Sequence, residues 1–241
     1  MGRSIVSKHS SGSTERSSRL RGLAMSREPA FDDIFPLYMR LMTEAKARIR
    51  CVEMIADGRT EYFSPGVARE SCFLQLRMLC ELIAVACVAA HENKTTGQLL
   101  KYYEPHKIFA ELAKLNANFY PQPVTLEIMR DRVFRTTPHD NGALTKSELI
   151  NLRNQLGDNL HKKPIRDLLK AQQHRTDFTD VLAWLEKIKS LLMTHRIDRG
   201  DGKNYFICEL SAAVPPMFTH LPNHSLYQDG GMRLLRGSKF Q

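Results

Sequence analysis

A helix that is apolar on almost every side has to be surrounded by other elements, and one such helix dictates how this chain can fold. Ser64-Pro65 offers a capping hydroxyl followed by proline in the first turn, where its missing N–H removes no helical bond. The helix that follows is expected to run to about Asn93. Its Cys72–Ala90 stretch is broken only by Gln75, Arg77 and Glu81. Those interruptions keep it short of the roughly 18 uninterrupted apolar residues of a membrane span, so it is read as the central helix of a bundle. At about 100 degrees of turn per residue, Glu70, Arg77 and Glu81 share one polar stripe within about 40 degrees. Arg77 and Glu81 are one helical turn apart and can pair directly.

Amphipathic segments suited to covering that helix lie on both sides of it. Phe31, Tyr38, Met42, Ala45, Ile49, Val52 and Ile55 recur at helical steps, with Asp32 and Asp33 at the start and Gly58 at the exit. A third helix is expected from Glu104 to Leu115, then a short strand over 123–128 and a loop over 136–143. Thr145 stands three residues before Glu148, the spacing of a capping box, and opens a helix that Pro164 stops near Lys163. A short helix over 164–172 and a long one from Thr176 to about Arg196 follow. Lys203–Glu209 reads as a strand after a D-R-G-D-G turn, with Pro216–Leu221 as its partner in an edge hairpin. The fold expected is mainly α: a helical bundle with a small C-terminal β-hairpin. Its parts are a disordered leader (1–28), the bundle (29–200), the hairpin (201–222) and a flexible tail (223–241).

Composition narrows the function classes. The net charge is +9, but residues 1–28 hold six basic and two acidic side chains, a net +4. The body is therefore only mildly basic, which permits contact with nucleic acid without demanding it. The five cysteines include no C-x-x-C pair, so a reducing cytoplasm is expected and a disulfide framework is not. Neither a phosphate-cradling G-x-x-x-x-G-K-[ST] loop nor a G-x-S-x-G elbow occurs. His220 and His224 flank Leu221-Pro222, which breaks a helical metal pair, and no metal or cofactor is expected. His139-Asp140 reads as a turn pair.

Polar chemistry is concentrated in Ser147–Pro164. With Arg153 set at zero on the helical wheel, Leu149, Leu152, Leu156 and Leu160 form the buried side, and Gly157, His161, Asn154 and Asp158 follow on the other flank. Arg153, Gly157 and His161 form a ridge at the border of the buried face. A mid-helix glycine costs roughly 1 kcal/mol relative to alanine, so Gly157 suggests a close approach by another group. The stripe of Glu70, Arg77 and Glu81 needs polar company, and apposition to Arg153, Asn154 and His161 would supply it. In a functional reading His161 transfers protons and Arg153 steadies phosphate charge. In a structural reading Arg77–Glu81 is a buried ion pair and His161 closes a helix.

The stretch L-R-N-Q-L-G-D-N-L-H (152–161) resembles the Arg-Asn…His element of HEPN-type helical domains. Segments 69–84 and 115–124 are similar to bacterial helical proteins of unassigned activity. The resemblance implies a dimeric helical bundle from a family that includes metal-independent ribonucleases and inactive scaffolds. Carried over, Arg153 and His161 would be the catalytic pair, with Asn154 and Asp158 in support. The spacing from Arg153 to His161 is longer than the family's motif usually has, and their Cα atoms would stand about 12 Å apart on an ideal helix. A two-fold partner or a break near Gly157 would be needed to bring them together. The leading expectation is a HEPN-like helical interaction protein acting as a homodimer. The alternatives are a ribonuclease of toxin or defence type and a non-catalytic RNA binder using Lys162, Lys163, Arg166 and Lys170.

Overall fold

The structure is a computed structural model. It describes residues 31–91, 96–128, 134–160, 177–200, 204–210 and 217–222. The expected leader (1–28), the short helix over 164–172 and the tail (223–241) lie outside the described residues.

Helices dominate what is described. They are α1 (Phe31–Ala56), α2 (Pro65–Ala90), α3 (Pro105–Leu115), α4 (Lys146–Leu160) and α5 (Thr179–Leu192), with a 3-10 turn at Leu99–Lys101. The ends of the first two follow from local chemistry. Gly58, at φ 69°, closes α1: its N–H reaches the Ile55 carbonyl at 3.1 Å and that of Arg59 reaches Met54 at 2.9 Å. Ser64 Oγ then accepts from Val67 N at 3.3 Å, and Pro65 opens α2. α1 buries Tyr38, Met42, Ala45, Ile49, Val52 and Ile55, one face at helical spacing. α2 buries residues on most of its circumference and touches each of the other four helices. Arg69 clamps its N-terminal end to that of α5. The guanidinium forks onto the Asp180 carboxylate at 2.9 and 2.8 Å, reaches the Asp177 carbonyl, and lies 5.0 Å from the Phe73 ring centroid.

A five-stranded antiparallel sheet adjoins the helices, in the order β2 (Phe134–Pro138), β1 (Gln122–Ile128), β3 (Thr194–Asp198), β4 (Asn204–Glu209), β5 (Met217–Pro222). It corrects two expectations. Residues 134–138 form an edge strand where a loop was expected at 136–143, with Pro138 opposite Val124. The last helix ends at Leu192 rather than near Arg196, because Thr194–Asp198 alternates inward and outward and buries His195 and Ile197. The sheet draws strands from both sides of the expected boundary at 200/201, with β1, β2 and β3 before it and β4 and β5 after it. β4 pairs with β3, and Phe206 and Cys208 enter the same core as α1 and α2.

Candidate functional site

α4 lies beside α2 and runs antiparallel to it, as their contacts show. Arg153 meets Glu81, and one turn further along α4 Gly157 faces Arg77, one turn back along α2. Glu81 Oε1 accepts from Arg77 Nε at 3.4 Å and from Arg153 Nε at 3.3 Å. All three side chains are largely buried, at 26% exposure for Arg77, 19% for Glu81 and 17% for Arg153. One carboxylate thus holds two guanidiniums, leaving one positive charge uncompensated in a crevice where water screens poorly. The glycine makes room for this approach. A Cβ on Gly157 would lie 3.0 Å from Arg77 Nη1 and 3.7 Å from its Cζ, so the guanidinium lies against the bare backbone of α4.

The remaining candidates separate from this cluster. Asn154 and Asp158 are exposed on the far flank of α4, so Asn154 does not join the stripe as expected, and Glu70 is exposed as well. Turning about 100 degrees per residue carries both away from the α2-facing ridge that Arg153 and Gly157 share. His161, Lys162, Lys163, Arg166 and Lys170 lie outside the described residues.

The buried cysteines, Cys80 beside the site among them, are held as thiols. Burial pushes Cys80 up to about 12; Glu81 adds to the rise and Arg153 opposes it. Burial likewise pushes Cys72 up to about 12 and raises Cys87 and Cys208. A thiol so disposed is a packing residue rather than a nucleophile.

Buried polar groups that sequence reasoning missed lie at the other end of the molecule. His195 Nδ1 donates to the Leu192 carbonyl at 2.9 Å, which leaves Nε2 to accept from Tyr38 Oη at 2.7 Å. Burial presses His195 down to about 4 and lifts Tyr38 well above its ordinary range. His91, fully buried, donates from Nδ1 to the Cys87 carbonyl at 2.8 Å and meets Asn116 Nδ2 at 2.9 Å. Asn116 also donates to the Asp198 carbonyl at 2.8 Å, and its Oδ1 accepts from Asn118 N at 2.9 Å, which fixes the amide's orientation. These struts tie α1 to β3, and α2 to the end of α3 and β3. Their partners are far apart in the chain, so no local pattern announces them.

A separate groove of about 580 Å³ opens between the start of α4 and the sheet, within the usual size of a small-molecule pocket. Lys146, Arg196, His139, Asp140 and Asp198 line it, and the stripe of α2 does not reach it. His139 and Asp140, expected as a turn pair, are thus groove residues. No group of three metal-ligating side chains occurs among the described residues.

No protein-family model, curated protein or solved structure matches this chain. By length and composition α2 could cross a membrane, at mean hydropathy 1.9 over its most apolar window, yet 61% of that window is buried inside the protein.

Proposed function

We propose that this chain is a HEPN-like helical bundle protein that works by association, as a homodimer in a reducing cytoplasm. The observation that carries the reading is an uncovered apolar stripe on α2 and the loop before it. Phe63 is fully exposed, Val67 is 49% exposed and Leu74 is 46% exposed, with Tyr62 beside them. On the helical wheel Val67 and Leu74 share the side of α2 that carries Arg77 and Glu81. The C-terminal half of that side meets α4, and in the N-terminal half Val67, Glu70 and Leu74 are exposed. Burying a Val, Leu or Phe side chain yields about 1.5–3 kcal/mol, and in a two-fold contact each residue counts twice. The five free cysteines fit a compartment that keeps thiols reduced.

The test is the oligomeric state by light scattering. Wild type is expected to run as a dimer, and Val67→Glu and Leu74→Glu as monomers with melting temperatures within a few degrees of wild type. A wild-type monomer in concentrated solution sinks the reading.

The ribonuclease alternative gains less support, because Asn154 and Asp158, its supporting polar groups, are exposed on the flank of α4 away from Arg153. Wild type and His161→Ala are expected to leave RNA equally intact in EDTA. Cleavage by wild type that His161→Ala abolishes would reinstate the enzyme.

A further inference from the structure

Glu81 uses one oxygen to hold the Nε edges of both Arg77 and Arg153. Among the described residues nothing else bonds to either guanidinium, so the Nη groups of both are unpartnered in a largely buried crevice. Guanidinium groups so placed are costly unless their donors are satisfied. Both reach the same oxygen, so the two forks are neighbours, and Gly157 gives Arg77 the room to lie against α4. Paired forks with one positive charge in excess match the geometry and sign of a tetrahedral oxyanion.

We propose that Arg77 and Arg153 form a phosphate-binding site between α2 and α4, taking free phosphate or the phosphate group of a small monoester. Glu81 orients both forks by their Nε edges and leaves the Nη donors for the ligand. No bond is made or broken. Such a ligand would bridge the two helices, and because it binds only the folded chain it raises stability with concentration. The site stands whether or not the chain dimerises, so it can fail without the association reading and survive that reading's failure.

The experiment is thermal unfolding and calorimetric titration of the full chain with orthophosphate, against sodium chloride at matched ionic strength. Phosphate is expected to raise the melting temperature more than chloride does. Arg77→Gln and Arg153→Gln should each weaken phosphate binding by roughly tenfold or more, the loss of a charge-assisted hydrogen-bonding group. Gly157→Ala provides a variant that folds. Its added methyl meets only the flexible end of Arg77, so it should melt no lower than wild type yet bind phosphate several-fold more weakly. Ribose 5-phosphate assigns the source: tighter binding than orthophosphate points to a phosphorylated small molecule, and equal binding to the free ion. The proposal is overturned if phosphate and chloride act alike on wild type, or if Gly157→Ala and both glutamine variants bind phosphate as wild type does.

Discussion

Tyr38 and His195 show what one hydrogen bond does where water is absent. The imidazole is neutral because burial holds its pKa near 4, and its Nε2 accepts the proton of the Tyr38 hydroxyl. In the unfolded chain the same imidazole titrates near 6.5. As pH falls below that value the unfolded chain takes up a proton that the folded chain refuses until about 4, so stability falls through this window and levels off beneath it. The full effect is on the order of 3 kcal/mol, and urea midpoints at pH 7 and pH 5 measure its onset. Tyr38→Phe keeps the ring but strands a buried acceptor, and should cost about 1–3 kcal/mol at pH 7. An unchanged midpoint would mean that the bond contributes nothing. At this scale the sequence is unevenly legible. Gly157 announced a close approach because glycine is a poor helix former, and Arg77, Glu81 and Arg153 announced themselves as charges on apolar helices. His195 and His91 looked like any other histidine, since their roles depend on residues far away in the chain.

Elements defined by their own ends and periodicity were legible; elements defined by their neighbours were not. The capping box at α4 illustrates the first kind. Thr145 N donates to Glu148 Oε2 at 3.0 Å and Glu148 N donates back to Thr145 Oγ1 at 3.3 Å. The Glu148 carboxyl is held down at about 2, first by Lys187 of α5 at 2.6 Å and then by the Thr145 N–H. Thr145→Ala should therefore cost about 1 kcal/mol, read as a lower urea midpoint with unchanged slope. Strands β2 and β3 illustrate the second kind. Thr194–Asp198 continues a helical apolar rhythm on paper, and only its pairing with β1 and β4 turns it into a strand. Phe134–Pro138 carries a proline and sits at the sheet edge, where a missing N–H leaves no ladder partner wanting.

For the whole molecule, the pairing of β3 with β4 carries the sheet across the boundary expected between bundle and hairpin. Phe206 stacks on Tyr38 with ring centroids 6.4 Å apart, and Phe206, Ile207 and Cys208 are all buried. A chain ending at Gly200 would lose those side chains and leave β3 with an open edge. It should unfold without a cooperative transition, or bind hydrophobic dye strongly, when followed by circular dichroism and dye fluorescence. A sharp transition like that of the full chain would restore the smaller domain.

Because α2 touches every other α-helix among the described residues, no local opening can bare its middle turns without dismantling the rest. Its central amides will trade hydrogen for deuterium only when the entire chain comes apart. Mass spectrometry on peptides from that one segment therefore gives a clock for global unfolding, against which loosening anywhere else can be timed.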